Sequence, residues 1–156
     1  MKGTVLVVPV ANPIAFAHGT RQTPEPPEET VDFSNLNRVF PGKRLTHLFG
    51  SKEETDVSLT MRIAQVLTNE VVSRCTHVID FHGQRMGMAL NKMLFNRANE
   101  EAMTLAKVFG LGVIHDPEGE SIGGALGPMI DYAERIGIQG VAPEIGGAGH
   151  SEAFEK

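Results

Sequence analysis

Residues 5–8, Val-Leu-Val-Val, form an unbroken apolar run that Asn12 and Pro13 bring to an end. A continuous run of this kind predicts a parallel strand buried on both faces. A second run, residues 76–83, reads Thr-His-Val-Ile-Asp-Phe-His-Gly. Its Val78, Ile79 and Phe81 predict a central strand that carries His82 to its carboxyl end, where Gly83 lets the backbone turn. Between the two runs, Leu59, Ile63, Val66, Leu67 and Val71 recur at helical spacing. They predict a helix over about residues 54–73, opened by a capping box at Ser51 and Glu54. A second helix is predicted over residues 98–109, where Ala98, Ala102, Leu105, Ala106 and Phe109 share a face and Gly110 stops the turn. Residues 112–115 predict a short strand. Leu126, Ile130, Ala133 and Ile136 mark a third helix closed by Gly137, and residues 138–145 a last strand. Pro143 places that strand near an edge or at its own end. Residues 84–95 have no decisive period. The alternation of strands and helices predicts an α/β fold, a three-layer α/β/α sandwich around a mostly parallel mixed sheet with right-handed crossovers.

Residues 14–49 show neither period and are expected to form one long loop at the active site. Its middle, Thr23-Pro24-Glu25-Pro26-Pro27-Glu28-Glu29, favours extended, exposed backbone. Its second half differs, because Phe33, Leu36, Val39 and Phe40 interleave with polar residues before Pro41-Gly42. Such apolar anchors hold polar side chains still. Asn37 and Arg38, lying between them, offer an amide donor and a planar guanidinium fork that suit a carboxylate.

Composition narrows the classes. The chain has 156 residues, 41% hydrophobic and 21% charged, which fits one soluble domain over residues 1–156. A net charge of -5 without a block of lysine or arginine argues against a nucleic-acid partner. One cysteine, Cys75, excludes an internal disulfide framework and fits a reducing, cytoplasmic setting. No apolar run reaches the ~20 residues that cross a bilayer, so no membrane partner is expected. The amino terminus, with Lys2, an apolar stretch and Ala15-Phe16-Ala17, imitates a signal peptide, but Pro9, Asn12 and Pro13 interrupt it.

His82, at the carboxyl end of a predicted sheet strand, is expected where ligands gather in open α/β sheets, and Glu144 is expected to emerge from the last strand beside a site. Asp80 either orients the His82 ring or caps the strand end, and the first role is preferred. His18, His47, His77 and His150 are expected to be surface or loop histidines. The methionines Met86, Met88, Met93 and Met103 are expected to fill core or line a pocket.

Five segments taken together carry a resemblance. Val-Pro-Val-Ala-Asn-Pro at 8–13, Gly19-Thr20-Arg21, Asn35-Leu36-Asn37-Arg38-Val39-Phe40-Pro41-Gly42, Ile79-Asp80-Phe81-His82-Gly83 and Pro143-Glu144-Ile145-Gly146-Gly147 resemble the succinylglutamate desuccinylase and aspartoacylase family, relatives of the zinc carboxypeptidases. The resemblance implies a zinc-carboxypeptidase-like fold and one catalytic Zn2+. It also implies roles: His82 as the third zinc ligand, Asn37 and Arg38 as the substrate-binding pair, Arg21 near the scissile carbonyl, and Glu144 as the catalytic glutamate. In that scheme zinc polarises an amide carbonyl and acidifies its bound water, and Glu144 passes that water's proton to the leaving amine. The family's other two zinc ligands come from a His-x-x-Glu segment ahead of residues 5–10, which this sequence lacks. Its internal His-x-x-Glu, His115 to Glu118, stands in the wrong order and contains Pro117. The chain is therefore expected to be a partial catalytic domain that by itself neither binds stoichiometric zinc nor hydrolyses an acyl-amino acid.

Three functions follow as expectations. The first is a zinc-dependent deacylase whose partner is a small-molecule N-acyl amino acid or a related carboxylate. The second is a metallocarboxypeptidase acting on peptides. The third is a non-catalytic remnant that keeps the carboxylate cradle and binds a small acid unchanged.

Overall fold

The computed structural model of the chain describes residues 2–24, 34–42, 58–83, 92–95, 100–115 and 127–145. They belong to two compact units. One comprises Met1–Arg74 with Gly123–Met129, the other Cys75–Ile122 with Ile130–Lys156.

In the first unit, residues 5–10 do not form the expected strand. Val5, Leu6, Val7, Val8 and Val10 are all exposed, Val7 at 75%. A run of apolar residues becomes a buried strand only where another strand offers its hydrogen-bond ladder, and among the described residues none pairs with this one. The run ends in a helix that the sequence pattern hides, α1 (Pro13–His18). Asn12 caps it by accepting from the Ala15 N–H at 3.0 Å, Pro13 takes the first turn, and Gly19 closes it in the left-handed region at φ 62°. Six residues are too few to show a helical period.

Helix α2 (Leu59–Glu70) is shorter than expected. Ser58 caps it, accepting from the Met61 N–H at 3.2 Å, and a 3₁₀ turn over Val72–Arg74 follows. The capping box at Ser51 and Glu54 lies outside the described residues. The buried face is also rotated from the expected one. Thr60, Met61, Ala64 and Thr68 are buried, whereas Leu59 and Val66 are exposed. The reason is close approach by Gly42, which sits at φ +82° against the α2 backbone at Met61 and Gln65. Only small or flexible side chains leave room for a backbone there.

The second unit is built on a five-stranded mixed sheet of β1 (His77–Ile79), β2 (His82–Gly83), β3 (Lys92–Phe95), β4 (Val113–His115) and β5 (Gln139–Ile145). Its order is β1-β5-β3-β4, with β2 also on β5; the β3–β5 pairing is antiparallel and the rest are parallel. Helix α3 (Glu100–Phe109) packs Ala102 and Ala106 onto Val141 of β5, with Met103, Leu105, Phe109, Leu111 and Ile114 around them. Helix α4 (Met129–Arg135) buries Ile130 and Ala133, and Gly137 at φ 75° turns the chain into β5.

Two strand expectations are corrected. β5 is an interior strand, not an edge, and Pro143 is fully buried in it. Conversely, residues 76–83 form no single central strand. Their segment is split into β1 and β2 at the side of β5, and His77 and Ile79 are exposed. The proline accounts for the split. Gln139 N–H and Val141 C=O bond to Thr76 C=O and Asp80 N–H, so residues 139, 141 and 143 all turn their amides toward this side. The register places residue 143 opposite residue 81, in the gap between the His77↔Gln139 and His82↔Glu144 pairings. Pro143 has no N–H to offer there, so the ladder breaks and resumes one residue later.

Candidate active site

The resumed ladder sets the chemistry. β2 and β5 are paired so that His82 and Glu144 are direct register partners, with parallel neighbours in one plane of the sheet. Their side chains meet, His82 Nδ1 lying 3.1 Å from Glu144 Oε1. The other ring nitrogen, Nε2, lies 2.9 Å from Asp80 Oδ2. Asp80 and His82 flank Phe81, which packs on Phe109 of α3 with ring centroids 5.8 Å apart. This contact steadies the strand break on which both polar side chains stand.

The three groups are largely buried, with His82, Asp80 and Glu144 side chains 25%, 22% and 15% exposed. Burial by itself pushes the His82 pKa down. The hydrogen bond and charge of Asp80, followed by the charge and hydrogen bond of Glu144, outweigh it and raise the pKa above the ordinary 6.5. Each ring nitrogen thus faces a carboxylate, an arrangement that favours the protonated ring.

In the first unit, the residues expected to hold a carboxylate lie on a 3₁₀ turn, Leu36–Arg38. Asn35 caps it by accepting from the Asn37 N–H at 3.1 Å. Arg38 Nη1 donates to the Asn37 carbonyl at 2.8 Å, and Asn37 Oδ1 accepts from the Met129 N–H at 2.9 Å. Val39 and Phe40 behind the turn are buried, and Phe40 pairs with Gly127 through N–H to O bonds of 3.0 and 3.1 Å in the two directions. A cis peptide joins Phe40 to Pro41. Arg21 is exposed on the segment whose Thr23 N–H donates to Ser34 C=O at 3.0 Å. That bond joins the ends of the proline-rich stretch, so its length does not separate Arg21's segment from that of Asn37, and Asn12 Nδ2 donating to Thr23 Oγ1 at 2.9 Å ties Thr23 to the start of α1.

The structure therefore brings His82, Glu144 and Asp80 together in one unit and Asn37 with Arg38 in the other. His18 and His77 are exposed, as surface histidines are. His47, His150, Met86, Met88, the residues 25–33 and the Glu118 end of the internal His-x-x-Glu lie outside the described residues. Sequence reasoning missed the Met129 backbone N–H as a partner of Asn37. A main-chain group so far along the chain leaves no signal in residue types.

The profile of the succinylglutamate desuccinylase/aspartoacylase catalytic domain matches residues 1–155. The chain belongs to this family. Solved structures agree at the level of the fold. The product-bound ectoine utilization protein EutE (DoeB) from Ruegeria pomeroyi matches with a TM-score of 0.69 at 23% identity, over 95% of this chain and 41% of that one. An aspartoacylase family protein from Mesorhizobium loti matches with 0.65 at 26%, over 90% and 40%. A succinylglutamate desuccinylase from Silicibacter sp. TM1040 matches with 0.62 at 21%, over 94% and 40%. The chain thus has the mixed α/β, zinc-carboxypeptidase-like fold of the family and spans about two-fifths of the length of these structures. No curated protein matches it. Among the described residues no helix is long and apolar enough to cross a membrane.

Family membership implies a zinc ion, and the described residues by themselves do not fit one. A catalytic zinc takes three protein ligands and keeps an open position. Among the described residues no group of three or more His, Cys, Asp or Glu side chains is set to hold a metal. His82 has both nitrogens turned to carboxylates, so neither is directed at an open position where a metal would sit.

Proposed function

We propose that the whole protein is a zinc-dependent deacylase that cleaves the amide of an N-acyl amino acid or a similar small carboxylate. The observation that supports this most is the pairing of His82 with Glu144 on adjacent strands in a chain of this family. Glu144 takes the proton of the attacking water and returns it to the departing amine, which needs a carboxylate held at a fixed place rather than a mobile one. The His82 ring and the β5 backbone hold it. Asp80 fixes the ring from its other side. Arg38, supported by Asn37, is assigned the substrate carboxylate, and Arg21 the oxygen that becomes negative as water adds. Zinc dependence is part of this proposal, with the rest of its site supplied beyond the described residues.

The fixed Asn37–Arg38 turn supports a second proposal, a carboxylate binder that releases its ligand unchanged. One experiment separates the two. Amine release is followed from N-succinyl and N-acetyl amino acids, and from peptides with a free carboxyl terminus, in excess zinc. Release from the acyl amino acids that Glu144→Gln abolishes supports the deacylase; binding of the same acids without release supports the binder. Preferential release from peptides contradicts both and points to a carboxypeptidase.

A further inference from the structure

Asn37 uses three of its polar groups within the fold. Its N–H donates to Asn35 Oδ1, its carbonyl receives Arg38 Nη1, and its side-chain Oδ1 receives the Met129 N–H. The first two bonds are local and come with the 3₁₀ turn. The third reaches 92 residues along the chain, to the segment that Phe40 also grips through Gly127. The Asn37 peptide is thereby held from both ends, and its carbonyl is the surface on which the Arg38 guanidinium rests. A planar fork binds a carboxylate well only in the right orientation, so a group that fixes the fork's resting place sets affinity without touching the ligand.

We propose that Asn37 is a positioning residue whose carboxamide oxygen, bonded to the Met129 N–H, orients Arg38 toward its carboxylate. This deepens the proposed function and rests on its assignment of Arg38. The important atom of Asn37 is then its acceptor, where a residue that met the ligand carboxylate directly would need its donor. Substitution distinguishes the two, since Asn37→Asp keeps the acceptor in the same place and Asn37→Ala removes it.

Two measurements on the 156-residue chain test this. In the first, amide hydrogen exchange is read by NMR, with the β5 amides as the control for folding. Exchange at the Met129 N–H should rise roughly tenfold in Asn37→Ala and stay near wild type in Asn37→Asp. Unchanged exchange in Asn37→Ala overturns the proposal. In the second, calorimetry gives the affinity for N-succinyl-L-glutamate across the cycle of Asn37→Ala, Arg38→Ala and the double variant. Asn37→Ala should weaken binding roughly tenfold alone and add nothing in the Arg38→Ala background. Losses that multiply mean that Asn37 meets the ligand independently, and the positioning role is wrong. If Arg38→Ala leaves affinity intact, the assignment of Arg38 fails and the positioning role falls with it; the exchange result then still reports whether the Met129 bond exists.

Discussion

Replacing Gly42 by alanine tests how firmly the Asn37–Arg38 turn is fixed. Two costs add. Gly42 lies at φ +82°, in the left-handed region, where an L side chain costs about 1–2 kcal/mol. The added Cβ would also collide with Gln65 N, Gln65 Cα and Met61 O, all backbone atoms of α2. The helix cannot yield by moving one side chain, because Met61 and Ala64 are buried on that face, and forced overpacking costs about 1–3 kcal/mol. The sum, about 2–5 kcal/mol, is a large part of the 5–15 kcal/mol that holds a typical domain together. A fall in melting temperature on the order of 10 °C follows. Gly19→Ala provides the reference. Gly19 has a similar φ of +62° but nothing within 4 Å of a built Cβ, so it incurs the conformational cost alone. Urea and thermal midpoints of the two variants, measured side by side, isolate the contact with α2. If Gly42→Ala costs no more than Gly19→Ala, the loop does not lie against the helix as described, and the fixed geometry ascribed to Arg38 loses its support.

His82 gives a pH signature in the metal-free chain. Its folded pKa lies above 6.5, so its contribution to stability is complete below 6.5 and is lost as pH rises through the folded value. Denaturation midpoints of wild type minus those of His82→Gln should therefore shrink as pH increases above 6.5, and a difference that grows would show that the ring is held neutral. Among the described residues no group of three or more His, Cys, Asp or Glu side chains is set to hold a metal, so the dialysed chain should retain far less than an equivalent of zinc by elemental analysis. A full equivalent that His82→Ala removes would show that other residues complete the site. In a catalytically competent form of the protein, Glu144→Gln should abolish turnover while leaving ligand affinity within a few-fold, which steady-state kinetics and calorimetry together decide.

How much of this could be seen in the sequence depended on how local its cause was. The stop signals were legible: Gly110 and Gly137 end α3 and α4 where expected, at φ 78° and 75°. So was the small-residue face of α3, because Ala102 and Ala106 meet a flat sheet at helical spacing. The helix α2 face was misjudged because hydrophobicity marks Leu59 and Val66, while the contact that decides the face, Gly42 on the backbone, rewards small residues instead. The split of residues 76–83 was invisible in that segment, since its cause is Pro143 on the partner strand. Residues 5–8 show the same limit from the other side: an apolar run states a capacity to form a strand, and the partner decides the outcome. For the site, residue types and order suggested His82, Glu144 and Asp80, and the register shows why they meet. The two carboxylates on one imidazole, and the Met129 N–H on Asn37, needed coordinates.

The central claim, that this chain carries a carboxylate-recognising share of a deacylase site, is tested most directly by one titration. Calorimetry compares N-succinyl-L-glutamate with its α-methyl ester, against wild type, Arg38→Ala and Arg38→Lys. A charge-assisted, partly buried contact should contribute about 2–4 kcal/mol, so the free acid should bind about 30- to 700-fold more tightly than the ester. Arg38→Ala should remove that preference, and Arg38→Lys should restore only part of it, because an ammonium lacks the planar fork. Equal affinity for acid and ester, or a preference that survives Arg38→Ala, would contradict the account.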